Sequence, residues 1–361
     1  MRAAAVALAS VLVIGWVGAR AAADPERARQ EPRERRPLPG KARQDFWSWL
    51  LDPHEAEIKL VLRKVSENRT RAASMELLPY DYGAQFSPAR AELRAELLSD
   101  AEGMLRYALE LAPANIDLKR ELAIVTDEND RPSAQAALER YLADEAAERI
   151  SPDVRVRLGR WYARQRRFDD AVSQLRLALG GRPEHRTRTQ GVLLLSSILM
   201  HTGRLPEAID LLRGHVASAS FGYYGWEPLS LFALAVAYDR DEQISLAHEV
   251  LTRIVSAGQD QLMNVLHDGN IPPNRNPLVP PIERHYFAGL QYEALGYLPE
   301  ARAEWQAYAA ARDAPYRERA AQHVRQIDRL LKIERATSRA RPRRGGTPAR
   351  RAAPTRSGGP Q

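Results

Sequence analysis

Imidazoles and paired carboxylates are the side chains in this sequence best suited to moving protons or holding a metal. There are eight histidines: His54, His185, His201, His215, His248, His267, His285 and His323. No two of them stand four residues apart, the spacing that would aim both rings at one ion from a single helix face. Carboxylates are paired at Glu55 and Glu57 and at Asp169 and Asp170. On helices of this composition such pairs read as solvated faces or intrahelical ion pairs, not as an acid–base dyad. There is no cysteine, which removes disulfides, thiolate nucleophiles, Cys-ligated zinc and Cys-linked lipid anchors. Phosphate-cradling and dinucleotide glycine loops, a His-Glu-x-x-His helix and a Gly-x-Ser-x-Gly elbow are all missing. Asn68-Arg69-Thr70 matches a glycosylation acceptor and reads as chance. The expectation is a chain with no catalytic residue, no metal site and no cofactor.

What remains is charge, and its placement matters more than its total. The first 43 residues net +5 and the last 27 net +8, against +7 for the whole chain, so the region between them nets −6. A mildly acidic body with basic ends argues against a nucleic-acid groove on the fold.

The elements that must carry these side chains are helical. Ala, Leu, Arg and Glu dominate, all of them good helix formers, and 44% of the 361 residues are hydrophobic. Residues 1–23 have a positive start, an apolar run and Ala21-Ala22-Ala23 as a cleavage site, the pattern of a secretory signal. The rival reading is an uncleaved inner-membrane anchor formed by residues 3–19. The expected location is therefore exported, periplasmic or envelope-associated. Residues 24–44 read as a disordered Arg/Pro/Glu linker. Residues 45–87 read as an N-terminal helical cap, opened by Phe46, Trp47 and Trp49, with Pro53 starting a helix.

Between residues 88 and 315 the sequence repeats. Gly203-Arg204-Leu205-Pro206-Glu207-Ala208 recurs as Gly296-Tyr297-Leu298-Pro299-Glu300-Ala301. In each, Gly can end one helix in the left-handed region while Pro begins the next. The fullest copy runs from Ser151, with Leu158, Gly159, Tyr162, Ala171, Leu175, Ala178 and Pro183. This resembles the tetratricopeptide repeat, L-G-x2-Y followed by Ala, a bulky residue, Ala and Pro. Weaker copies carry Ala101, Ala134, Ala208, Ala247 and Ala301 at the position of Ala171, in steps of 33 to 54 residues. The resemblance implies an all-α, right-handed solenoid of antiparallel helix hairpins, in a bacterial protein of exported or envelope type.

It also implies a face for binding. Tetratricopeptide arrays hold partners in a concave groove lined by the first helix of each hairpin. Carried onto this chain, the groove would be lined by Asp153, Arg160 and Arg164, by Gln190, Ser197 and His201, by Asp239 and Arg240, and by Glu283, Tyr286 and Glu293. Mixed charge of this kind suits an extended protein segment of the envelope, clamped by Arg, and no small-molecule substrate. Residues 258–281, rich in Pro, Asn and Gly, interrupt the array as a loop. The aromatic break Phe221–Trp226 reads as core plugging. Residues 316–335 are expected to form a capping helix. Residues 336–361 are expected to be a disordered basic tail, whose Arg341, Arg343, Arg344, Arg350 and Arg351 offer the alternative function of binding an anionic surface or polymer: lipid headgroups, acidic polysaccharide or nucleic acid.

Overall fold

A computed structural model describes residues 53–75, 88–146, 149–218, 227–256 and 278–340. The signal segment, the linker, the aromatic cap residues, Phe221–Trp226, residues 258–277 and the five tail arginines from Arg341 to Arg351 lie outside the described residues. The chain divides into two compact units, Met1–Glu57 and Ile58–Gln361. Of the first unit only Pro53–Glu57, the opening turns of a helix, is described; the packing below belongs to the second.

Among the described residues there are thirteen α-helices and no strand. They are α1 (Pro53–Ser74), α2 (Pro88–Leu111), α3 (Ile116–Glu128), α4 (Ala134–Asp144), α5 (Pro152–Arg164), α6 (Phe168–Gly180) and α7 (His185–His201). They continue as α8 (Leu205–Ser218), α9 (Glu227–Arg240), α10 (Ile244–Ser256), α11 (Glu283–Ala294), α12 (Leu298–Ala310) and α13 (Arg317–Ala340). Consecutive helices pack in antiparallel pairs, α3 with α4, α5 with α6, α7 with α8, α9 with α10 and α11 with α12. The first helices also stack on one another in the order α3, α5, α7, α9, α11. The described residues of the second unit form an all-helical solenoid of tetratricopeptide-like hairpins.

The hairpin is built on small residues where two backbones approach. A β-carbon added to Gly159 would stand 2.9 Å from Leu175 Cγ, so α5 and α6 can close only over a glycine. Gly289 plays the same part between α11 and α12 against Trp305. The alanines Ala101, Ala134, Ala171, Ala208, Ala247 and Ala301 are all buried, as are Leu158, Leu175, Ala178 and Pro183. Tyr162 is half-buried and donates from its hydroxyl to Glu139 at 3.1 Å.

One turn geometry joins the helices of five hairpins. Gly203 and Gly296 have φ +77° and +80°. The next amide reaches back five residues, Arg204 to the Leu199 carbonyl and Tyr297 to the Tyr292 carbonyl, both at 2.8 Å. This is the Schellman closure of a helix end. Three non-glycine residues do the same: Asp130, Arg166 and Glu242, with φ of 55°, 63° and 57°. Their successors, Arg131, Arg167 and Gln243, bond to Thr126, Tyr162 and Tyr238. Glycine marked only two of the five turns, because packing of the flanking helices holds the other three in a conformation their side chains disfavour.

Two details concern helix ends. Ser151 stands at the N-cap of α5, but its side chain makes no capping bond. Helix α13 runs on to Ala340, past the expected end at residue 335.

Candidate functional site

A cavity of about 620 Å³ is lined by residues of α1, α2, α3, α5 and α7 and of the α6–α7 loop. Its walls carry six arginines, Arg69, Arg94, Arg157, Arg160, Arg182 and Arg186, against three carboxylates, Glu128, Asp153 and Glu184. Of the expected groove residues, Asp153, Arg160 and Gln190 line it. Arg164 lies one turn beyond, exposed, with its guanidinium 5.1 Å from the Trp161 ring centre.

The floor is an ion lattice tying three first helices together. Arg69 of α1 reaches Glu121 and Glu128 of α3, each at 2.8 Å. Arg157 of α5 reaches Asp127 at 2.7 Å, Glu128 at 3.0 Å and Asp153 at 2.9 Å. Trp161 donates its indole N–H to Asp127 at 2.8 Å. Arg160 stands 3.7 Å from Asp127. Burial pushes the Asp127 and Glu128 carboxyls up, but the neighbouring guanidiniums outweigh it and hold both below the ordinary carboxylate range. Arg157, with three carboxylates around it, is held further protonated despite its burial. Arg160 and Arg94 move the other way. Desolvation lowers both, and the carboxylates near them do not make good the loss. Arg157 adds to the effect on Arg160 by like-charge repulsion.

Arg157, the centre of this lattice, was absent from the expected groove set although its signal was in the sequence. Asp153, Arg157, Arg160 and Arg164 stand at i, i+4, i+7 and i+11, one stripe of a helix. Arg69, Arg94, Asp127 and Glu128 carried no such signal, because the helices that bring them together are distant in sequence.

In the second half of the array, Asp239 and Glu293 line a second cavity, of about 530 Å³, together with His248, Arg319 and His323. Ser197, Arg240, Glu283 and Tyr286 are buried and line neither cavity. Each is taken up by a partner inside the protein. Ser197 Oγ accepts from the Val279 amide at 3.2 Å. Arg240 pairs with Glu283, both side chains fully enclosed, and its guanidinium lies 4.1 Å from the centre of the Tyr286 ring and 4.7 Å from that of Tyr316. His201 Nδ1 meets Glu283 Oε1 at 2.9 Å.

Asp239 is held by three donors: the Tyr286 hydroxyl at 2.7 Å, Arg319 at 2.6 Å and His323 Nε2 at 3.1 Å. Glu293 accepts from His323 Nδ1 at 2.7 Å and from the Trp305 indole at 3.0 Å. Burial works against a charged His323, but the Asp239 and Glu293 carboxylates prevail and push its pKa up to about 9. The ring also lies flat on Trp305, with centroids 4.2 Å apart. The physical reason for the misplacement is α13. Tyr316, immediately before it, and its own Arg319 and His323 close over the groove side of α9 and α11, and nothing in the local sequence of those helices announces it.

Asn68 of the glycosylation-like triplet is buried and donates to the Leu97 carbonyl at 3.4 Å, so it serves packing.

No family model matches the chain, and no curated protein does either. The crystal structure of the P58(IPK) TPR domain is similar over 68% of this chain and 96% of that chain, with 12% identity and a TM-score of 0.24. That of yeast Tom70 is similar over 78% of this chain and 74% of that chain, with 11% identity and a TM-score of 0.31.

Proposed function

We propose that this chain is a non-catalytic protein-binding scaffold of the cell envelope that holds its partner at the cavity lined by α1, α2, α3, α5 and α7. The observation that carries the reading is that cavity, where Asp153, Arg160 and Gln190 from successive first helices converge. Its size falls within the range of ligand sites. We place the groove in the first half of the array, since the corresponding positions of α9 and α11 are engaged in internal pairs even where Asp239 and Glu293 line a second cavity. Placement in the envelope rests on residues 1–23 acting as an export signal.

A photo-crosslinking residue at Gln190 tests the reading in intact cells, with one at Leu177, exposed on the second helix α6, as the comparison. The expected result is a discrete product from Gln190 that Leu177 does not give and that Arg160→Glu with Arg164→Glu abolishes. Equal capture from both positions would overturn it. So would capture that survives the charge reversal but is lost on truncation after Ala340, an outcome that assigns binding to the basic tail.

A further inference from the structure

We infer that the last turns of α13, from Arg329 onward, form a docking face for an anionic phospholipid surface, to which the arginines of residues 341–361 add charge. The inference concerns the end of the chain remote from the proposed groove, and it stands or falls separately from the scaffold reading.

Helix α13 outlasts its packing. Ala320 and Ile327 are buried and Leu331 is half-buried, but every residue from Lys332 to Thr337 is exposed. Ile333 is 60% exposed, the highest of any large apolar side chain among the described residues, and Leu330 is 41% exposed. These two stand three residues apart, so they are neighbours on the helix surface, to one side of the face that carries Ala320, Ile327 and Leu331. Arg329, Lys332 and Arg335 are exposed as well. They follow at three-residue steps along a second stripe. Arg329 stands four residues before Ile333, so the basic and apolar stripes adjoin.

The positive charge of this end survives a count of its neighbours. Arg302 of α12 pairs with Asp328 at 2.7 Å, and Lys332 and Arg335 attract the same carboxylate at longer range. Glu300 and Arg302 from the start of α12, taken with residues 328–340 of α13, give five bases and three acids, a net of +2. Residues 341–361 then add six arginines and no acid. Cationic charge is thus gathered where Leu330 and Ile333 stand exposed, and an anionic bilayer engages both. Its headgroup phosphates attract the basic side chains, and its interface takes up the aliphatic ones. With only two such side chains the attraction is mainly electrostatic, so it is screened by salt. A nucleic acid or an acidic polysaccharide has no use for Leu330 and Ile333. A second copy of this chain would set one basic stripe against another.

The chain has no cysteine, so Thr337→Cys gives a unique site for an environment-sensitive fluorophore one turn beyond Ile333. Leu177→Cys, on α6, serves as the comparison. Each labelled full chain is titrated with vesicles of phosphatidylcholine mixed with phosphatidylglycerol, and with vesicles of phosphatidylcholine alone to control for insertion of the apolar residues 3–19. The expected result is a blue shift at position 337 with the mixed vesicles only, which high salt reverses and position 177 does not show. Arg329→Glu, Lys332→Glu and Arg335→Glu together change only exposed residues. They are expected to leave the helical circular dichroism intact and to weaken the response roughly tenfold or more. Leu330→Gln with Ile333→Gln is expected to remove the shift. No shift with the mixed vesicles, or an equal shift with phosphatidylcholine alone, overturns the inference. A shift indifferent to the charge reversal overturns it too. Survival of the shift in the paired Gln variant reduces the contact to bare charge and has the same consequence, as does displacement of the chain from vesicles by a single-stranded oligonucleotide at equal phosphate concentration. If the lipid response fails while the Gln190 crosslink persists, the lipid face falls and the scaffold reading stands.

Discussion

The indole of Trp305 occupies the space that a side chain on Gly289 would need: an added β-carbon would stand 2.7 Å from its Cδ2 and 2.8 Å from its Cε2. The α11–α12 hairpin can close at this distance only because position 289 has no side chain. Gly289→Ala is expected to destabilise the protein by about 1–3 kcal/mol, the usual cost of forcing atoms into a packed interior. Gly159→Ala should cost less, since the opposing Leu175 is a flexible aliphatic chain, not a rigid ring pinned by a hydrogen bond to Glu293. Denaturant midpoints of the two variants check the order, and a Gly289→Ala protein as stable as the parent would show the hairpin to be looser than described.

The five Schellman turns make a paired prediction. Gly203 sits at φ +77° with open space around its α-carbon, so Gly203→Ala should cost about 1 kcal/mol through backbone strain alone. Glu242 holds the equivalent place at φ 57° with a side chain that disfavours it. Glu242→Gly should therefore stabilise, by up to about 1 kcal/mol, despite the added freedom of the unfolded chain. Opposite shifts in melting temperature at two turns of the same geometry are the expected observation.

His323 gives the stability a dependence on pH. Its folded pKa, about 9, exceeds the ordinary 6.5, so its contribution is complete below about pH 6.5 and is lost as pH rises through about 9. The rise corresponds to roughly 3 kcal/mol. Asp239 works in the opposite sense. Burial pushes it up, but His323 and Arg319 hold it well below the carboxylate range, so its contribution is lost as pH falls below that range. Unfolding free energy measured between pH 6 and 10 should decline, and His323→Gln should remove most of the decline. An unchanged slope in that variant would assign the dependence elsewhere.

Arg240 and Glu283 are both fully enclosed, so removing one strands the other's charge. Either Arg240→Met or Glu283→Leu alone should destabilise by about 3–5 kcal/mol. The double replacement should recover much of that loss, because a well-packed apolar pair is often as stable as a buried ion pair. A double-mutant cycle in urea measures the coupling. Additive losses would mean that the pair is more open to water than its burial indicates.

Helix content, the hairpin at residues 151–183 and the duplicated turn were legible because each depends on residues close in sequence. Gly159 and Ala171 announce a close helix contact by their size, and Gly203 and Gly296 announce a left-handed turn by their freedom. Half of the candidate site was legible for the same reason. Asp153, Arg160 and Gln190 follow from helix periodicity and do line the cavity, and Arg157 lay on the same stripe, four residues from Asp153.

The sequence by itself therefore determined the repeat, the spacing of its small residues and the face of α5 that carries charge, since all of these are set by the 3.6-residue period and by steric demands within one hairpin. Only the tertiary structure decided which charged residues remain available to a partner. Asp239, Arg240, Glu283 and Tyr286 have the same local signature as the residues of the cavity, yet Tyr316, Arg319 and His323 arrive from up to 84 positions away to enclose them. Burial and ion pairing depend on what packs against a helix, and that neighbour is chosen by the course of the whole chain.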